Sequence, residues 1–380
     1  MKIMHFHDSP HLHGGATQYL NQVLQALKAA GHQNHLFSIG PEIANDCIDM
    51  HHSFEYHWSR SPLQRRRDFY SVHQPLADKM QQVIADIQPD LIHIHNCANF
   101  RQTVFPTILY SELKSVMTVH DFSLNWNSSP QRQKGCFKAL LANLVNRPQH
   151  AKARKIVLDS VDLFLCPTQA IVDGLALPAD KSVRHRLPIN PAEASELPQD
   201  MLRMFFAGTL FASKGVDILL RALSIARPKL PNFTLEIAGS GDLDNSLVKL
   251  ASDLSLADNI NFLGQLDGHQ MNLAYQRANL QVLPSRVPEN SPLTVLEAGV
   301  RGRPSIASHA GGVPELIGDN RGWTFLSENS ADLANILVDI SNDLTALATR
   351  GASMRKWVRS EFDPSNHWVQ LEQHYANLIS

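Results

Sequence analysis

Pro284-Ser285-Arg286-Val287-Pro288-Glu289-Asn290-Ser291-Pro292-Leu293-Thr294-Val295-Leu296-Glu297-Ala298 is the most informative stretch of this 380-residue chain. Ser291 reads as an N-cap with Pro292 at the first helical position, because a serine oxygen can accept from an orphan N–H and proline gives up nothing there. The N–H groups of Leu293 and Thr294 then face outward at a helix N-terminus, which suits a phosphate. Glu297 falls roughly one and a half turns into the helix and points back towards the same place. Glu289 lies in the loop just before it. Two carboxylates flanking an anion-binding helix end are poorly explained as a solvated surface pair. Gly302 reads as an αL cap, and Arg303-Pro304 leads into the next strand.

Outward from this stretch, short apolar runs alternate with amphipathic helical segments along nearly the whole chain, the pattern of parallel α/β sheets. The first half offers strands at Lys2–His7, His35–Ile39, Leu91–His95, Val116–His120 and Leu163–Pro167. The second half offers Met204–Ala207, Thr234–Ala238, Ile260–Leu263, Leu280–Leu283 and Ser305–Ser308. Leu20, Val23, Leu24 and Leu27 recur at the spacing of one buried helix face. Leu187–Pro198 carries three prolines and little apolar content, so it reads as an interdomain linker. The chain from Trp357 to Ser380 has no strand and reads as helical. Two open α/β sheets in series keep ligands at the carboxyl ends of their strands, so a cleft between two domains is the expected site.

Composition narrows the classes. Hydrophobic residues make up 43% and charged residues 18%, ordinary for a globular enzyme. The formal net charge is -2, which excludes a generally basic nucleic-acid binder. The charge is uneven: residues 1–190 hold 19 basic and 15 acidic side chains, residues 191–380 hold 15 and 21. Cys47, Cys97, Cys136 and Cys166 show neither a disulfide framework nor zinc spacing. The N-terminus lacks a signal-peptide core, and no run approaches the roughly 18 apolar residues of a membrane span. A cytoplasmic protein is expected, so the acceptor sequons at Asn127 and Asn232 carry no meaning.

Other motifs add weaker signals. Gly14-Gly15-Ala16 follows the first strand and opens the first helix, where glycine lets a ligand approach the backbone. No G-x-G-x-x-G fingerprint occurs, which disfavours a nicotinamide oxidoreductase. Phe205-Phe206-Ala207-Gly208-Thr209-Leu210-Phe211-Ala212-Ser213-Lys214-Gly215 repeats the strand–loop–helix arrangement, and Lys214 there is a good phosphate counter-charge. Gly311-Gly312-Val313-Pro314-Glu315 reads as another turn beside the same site. His120 closes a strand at the end where such sheets keep functional groups. His5, His7, His11 and His13, with His93 and His95, tempt a metal reading, but the i, i+2 spacing only sets side chains on one strand face and no metal is expected. Arg60 with Arg65-Arg66-Arg67, and Arg147–Lys155, read as solvated basic faces, with contact to an anionic lipid or polyanionic acceptor as the alternative.

Taken together, these segments resemble the retaining family-4 glycosyltransferases of GT-B architecture (glycosyl transferases group 1). The matching pieces include Gly14-Gly15-Ala16, Asp90–His95, Val116–Asp121, Ala207-Gly208 through Lys214-Gly215, the Glu289-x7-Glu297 pair, Gly302-Arg303-Pro304 and Gly311–Glu315. The resemblance implies an α/β GT-B fold, two Rossmann-like domains with parallel sheets facing each other across a cleft. Residues 1–188 would form the acceptor domain, joined by a C-terminal helix at about 360–380, and residues 189–359 the nucleotide-sugar domain. Carried over by position, Gly14, Gly15, Gly208, Thr209, Ser291 and the amides of Leu293 and Thr294 would line the donor. Lys214 would neutralise the leaving phosphate, Glu297 would bind the ribose, Glu289 would contact the donor sugar, and His120 would sit beside the reacting sugar.

One position departs from the pattern. The family commonly has an arginine where Thr209 stands, and a charge-assisted hydrogen bond to phosphate is worth roughly 1.5–3 kcal/mol. Arg286 or another residue would have to substitute. The expected function is hexosyl or N-acetylhexosaminyl transfer from a UDP- or GDP-linked sugar to a glycan or lipid-linked acceptor in cell-surface polysaccharide, lipopolysaccharide or glycolipid assembly. No separate cofactor is expected, and the basic N-terminal domain would contact the inner face of an anionic membrane. The alternatives are a non-catalytic relative that binds the nucleotide sugar beside a partner enzyme, and a hydrolysing GT-B enzyme such as an epimerase.

Overall fold

The computed structural model describes residues 1–8, 14–56, 71–97, 100–124, 151–230 and 232–380. Several sequence expectations lie outside these residues: His11, His13, Arg60, Arg65, Arg66, Arg67, Arg147, Cys136 and the Asn127 sequon. The chain divides into two compact units, Met1–Leu187 with Ser365–Ser380, and Pro188–Pro364.

The first unit is a seven-stranded parallel sheet in the order β3-β2-β1-β4-β5-β6-β7. Its strands are β1 (Lys2–His7), β2 (Gln33–Ile39), β3 (Met50–Phe54), β4 (Leu91–Asn96), β5 (Lys114–Thr118), β6 (Leu163–Cys166) and β7 (Ser182–Arg184). β1 is buried from Ile3 onward, the mark of a central strand covered on both faces. The helix Gly15–Ala29 lays Tyr19, Leu20, Val23, Leu24 and Leu27 onto the sheet. Successive crossovers run to opposite sides of the β1/β4 boundary, which makes that boundary the topological switch point.

The second unit is a six-stranded parallel sheet in the order β10-β9-β8-β11-β12-β13. Its strands are β8 (Leu202–Ala207), β9 (Phe233–Ala238), β10 (Ile260–Gly264), β11 (Leu280–Leu283), β12 (Ser305–Ser308) and β13 (Gly322–Phe325). Here the switch point falls between β8 and β11, and the loops leaving those two strands carry Lys214 and Glu289. The helix Val216–Ala226 buries seven of its residues in the main core, beside Leu333, Ala334, Leu337 and Ile340 of the helix Ser330–Asn342. The last helix, Pro364–Ile379, lies almost wholly in the first unit.

Three strands escape the sequence pattern. Met50–Phe54 is a half-exposed edge strand rich in histidine, Ser182–Arg184 is only three residues long, and Gly322–Phe325 opens on a glycine. β5 ends at Thr118, so His120 lies two residues past the strand and does not close it.

Candidate active site

The phosphate-suited elements of the second unit converge at the carboxyl ends of β8 and β11. After β8, Gly208 donates its N–H to Ala238 (3.1 Å), Thr209 is exposed, and a turn of 3-10 helix, Ala212–Lys214, leads to the helix Val216–Ala226. Lys214 Nζ donates to Glu289 Oε1 at 2.7 Å, and the Ser285 hydroxyl donates to the same oxygen at 2.8 Å. The Lys214 and Glu289 side chains are 28% and 17% exposed, so the pair is accessible yet partly desolvated. Glu289 is held from behind by the glycine turn. Gly312 donates to its carbonyl at 2.7 Å, and a Cβ on Gly311 (φ +60°) would stand 2.2 Å from that oxygen. The Gly311-Gly312 turn thus fixes the backbone that presents Glu289.

The helix Leu293–Val300 begins one residue later than the sequence suggests. Its N-cap is Pro292, with no side-chain cap, and the Ser291 hydroxyl is buried without a hydrogen-bond partner. Ser291 is therefore not the cap. Proline supplies the extended entry (φ -64°, ψ 115°) by itself. Leu293 and Thr294 still occupy the first helical turn, whose N–H groups have no acceptor within the helix, and both are partly exposed. The helix closes in a Schellman arrangement, with Gly302 at φ +78° and its N–H on Gly299, and the Arg303 N–H on Ala298.

Glu297 lies one turn beyond Thr294. The Tyr275 hydroxyl, fully buried, stands 3.2 Å from Glu297 Oε2 and 3.3 Å from the Thr294 carbonyl, and the Arg301 guanidinium covers the Tyr275 ring at 4.9 Å. Burial pushes the Glu297 carboxyl above the ordinary glutamate range, while the Tyr275 hydroxyl and the Arg301 charge pull it back. A half-buried carboxylate in such a setting suits a diol, which donates two hydrogen bonds to it. Sequence spacing does not reveal Tyr275, which is 22 positions from Glu297 with no local pattern to join them.

Arg286, the candidate for the missing arginine, is engaged by protein groups. Its guanidinium makes a two-pronged ion pair with Asp217 (2.7 and 2.6 Å) and donates to the Ala212 carbonyl at 2.6 Å. Arg303, in the Gly302-Arg303-Pro304 motif, is fully buried, and burial lowers its pKa to about 10. Its N–H groups are met by carbonyls, among them Tyr275 and Ala278 at the end of the helix Gly268–Arg277 and Ser195 in the linker, and by the Ser195 hydroxyl (2.6 Å). The negative end of that helix is a natural seat for a cation.

In the first unit, Gly14 is the N-cap of the helix Gly15–Ala29 in an extended conformation, and a Cβ there would meet nothing within 4 Å among the described residues. His120 is partly exposed and packs edge-on against Tyr19, with ring centroids 5.3 Å apart. Burial of its ring lowers its pKa to about 4, against the opposing pull of Asp121. It is a neutral imidazole at physiological pH.

His5, His93 and His95 bring one ring nitrogen each within 4.8 Å of one another. His5 bonds His95 (3.0 Å) and Asn34 (3.2 Å), and His93 bonds Thr118 (2.8 Å) and Tyr375 (2.6 Å). Both nitrogens of His5 and of His93 are thereby occupied, and the cluster acts as a buried polar network. Through Tyr375, and through His367 bonded to Tyr19 (3.1 Å), it fastens the helix Pro364–Ile379 to the sheet. Of the described basic residues at 151–155, Arg154 donates to the carbonyls of Leu175 and Ala176 and Lys155 pairs with Asp159, so both serve internal contacts.

Comparison with known proteins places this geometry. Residues 13–182 match the Glycosyltransferase Family 4 model and residues 191–355 match Glycosyl transferases group 1. A GDP-mannose-dependent monoacylated alpha-(1-6)-phosphatidylinositol monomannoside mannosyltransferase of Corynebacterium glutamicum is 27% identical over 218 residues, 53% of this chain and 55% of that protein. The chain spans about half the length of the first curated relatives it matches. Among solved structures, Anabaena HepE in complex with UDP and glucose aligns with a TM-score of 0.76 at 19% identity over 100% of both chains. Sucrose-phosphate synthase of Thermosynechococcus elongatus aligns with a TM-score of 0.79 at 20% identity, over 99% of this chain and 98% of that one. Residues 13–182 thus belong to the Glycosyltransferase Family 4 region and residues 191–355 to the Glycosyl transferases group 1 region, on two parallel-sheet units that share the GT-B fold, with Lys214, Glu289 and Glu297 at the switch point of the second.

Proposed function

We propose that this chain moves a hexosyl or N-acetylhexosaminyl group from a UDP- or GDP-linked sugar to a glycan or lipid-linked acceptor, with retention of anomeric configuration, in the assembly of cell-surface polysaccharide or glycolipid. The observation that carries the reading is the Lys214–Glu289–Ser285 unit at the mouth of the helix Leu293–Val300. The names of relatives fit it: one is a GDP-mannose-dependent mannosyltransferase, and one solved neighbour holds UDP.

The residues divide the work. Amides of Leu293 and Thr294 take the diphosphate, and Lys214 compensates the charge that grows on it as the glycosidic bond breaks. Without donor, Lys214 spends its charge on Glu289. An arriving diphosphate competes for Lys214 and frees Glu289 to accept from the sugar hydroxyls, so recognition of the phosphate and of the sugar are coupled. Glu297 takes the ribose diol. Gly14, Gly15 and His120, on the first unit, keep the roles the resemblance implies, and a neutral His120 acts as a hydrogen-bond partner of the reacting sugar rather than a counter-charge. A binding-only relative is the second reading, favoured by Thr209 and by the commitment of Arg286 to Asp217.

The test is release of nucleoside diphosphate from UDP-glucose, UDP-N-acetylglucosamine and GDP-mannose, with and without a crude lipid-linked glycan acceptor. Acceptor-dependent release supports transfer. Release without acceptor supports hydrolysis, and donor binding with no release supports the binding-only relative.

A further inference from the structure

The two loops at the β8/β11 switch point are tied together more firmly than the ligand-facing residues alone require. The Arg286 N–H donates to the Ser213 carbonyl (2.8 Å), and the Ser285 hydroxyl lies 3.2 Å from the same oxygen. Arg286 Nη1 reaches the Ala212 carbonyl, and both of its Nη atoms hold Asp217, which sits in the first turn of the helix that Lys214 precedes. The backbones touch as well: Gly215, at φ +68°, leaves no room for a Cβ, which would stand 2.0 Å from the Pro284 carbonyl. Each tie joins the segment Ala212–Asp217 to the segment Pro284–Arg286. Lys214 lies inside the first segment, and Glu289 follows the second by three residues. The Arg286 and Asp217 side chains are 29% and 26% exposed, so their ion pair is shielded as well as bidentate.

We infer that Arg286 and Asp217 form a clamp that positions Lys214, so that Arg286 supports donor binding through Lys214 rather than by touching the phosphates. This rests on the reading of the site as a diphosphate site, and it makes Arg286 a positioning residue. The alternative, in which Arg286 leaves Asp217 and meets the diphosphate directly, predicts the opposite behaviour for Asp217. Removing the carboxylate would then release a cation to the ligand and strengthen binding. A clamp instead loses its anchor, and binding weakens.

The experiment measures the affinity of UDP and GDP by calorimetry for the full chain and for Arg286→Ala, Arg286→Lys, Asp217→Asn, Lys214→Ala and the Lys214→Ala/Arg286→Ala double variant, each checked for an unfolding transition. The clamp predicts that Arg286→Ala and Asp217→Asn each weaken the bound nucleotide about tenfold. Arg286→Lys cannot make the two-pronged contact and recovers little. The double variant binds no worse than Lys214→Ala alone, because the clamp has nothing left to position. A purely structural role for the pair would instead lower affinity to the same degree with or without Lys214. Unchanged or tighter binding by Asp217→Asn, or additive losses in the double variant, overturns the clamp. Absence of UDP and GDP binding by the unaltered chain would overturn the diphosphate reading itself, and the clamp's role with it, whereas normal binding by the unaltered chain and by Arg286→Ala would overturn the clamp alone.

Discussion

Lys214 and Glu289 face each other at 2.7 Å, and that single contact defines what the site can do. An ammonium held by a carboxylate and flanked by a hydroxyl is ready to exchange its partner for a phosphate without unfolding anything around it. Lys214→Ala should therefore lower transfer at least about tenfold, in keeping with loss of one charged hydrogen bond worth roughly 1.5–3 kcal/mol. Steady-state release of nucleoside diphosphate checks this, and unchanged turnover would remove Lys214 from the phosphate site. Arg303 behaves differently, because its work is done on the fold. Truncating a fully buried guanidinium strands the carbonyls it serves, so Arg303→Ala should cost about 3 kcal/mol of stability by denaturant unfolding. A loss below about 0.5 kcal/mol would show those contacts to be idle.

At the scale of elements, the decisive piece is the glycine turn behind Glu289. Gly311→Ala combines a left-handed backbone with a 2.2 Å approach to the Glu289 carbonyl, so the loop must shift to admit the methyl group. A shift of this size in a positioned group can cost on the order of a hundredfold in rate. The expectation is a fall in transfer of about tenfold or more with the unfolding transition preserved, and a rate within twofold of the unaltered chain would contradict it. How much of this was legible beforehand follows from local physics. β1, β11 and β12 have sequence-readable ends because polar or helix-breaking residues bound them: Asp8 after β1, Asn279 and Pro284 around β11, and Pro304 and His309 around β12. Met50–Phe54 is not readable, since an edge strand carrying two histidines has no alternation to detect. Glu289, Glu297 and Lys214 were visible through their spacing to a helix start, whereas Tyr275 and Asp217 act through contacts 22 and 69 positions away, which only folding brings together.

At the scale of the molecule, the first unit carries a core of histidines that must stay neutral. Burial lowers the pKa of His5 and of His367 to about 4, from an ordinary value near 6.5. Between these values the unfolded chain binds the proton and the folded chain does not, so stability falls as pH drops through 6.5 and the loss is complete below about 4. For His5 alone the linkage amounts to about 2 kcal/mol at pH 5. Denaturant midpoints measured from pH 8 to pH 5 should decline steadily, and a flat profile would mean that these rings ionise freely in the fold. Separation of the two units in calorimetry would show the decline in the histidine-rich one.

The measurement that bears most directly on the whole account is thermal unfolding with UDP, GDP, ADP and their sugars, with and without magnesium. A ligand at 100 times its dissociation constant adds about 2.7 kcal/mol, which a melting curve resolves. A rise in Tm with UDP or GDP is expected that persists in chelator and is reduced in Lys214→Ala. No shift with any of the nucleotides, or an undiminished shift in Lys214→Ala, would contradict it.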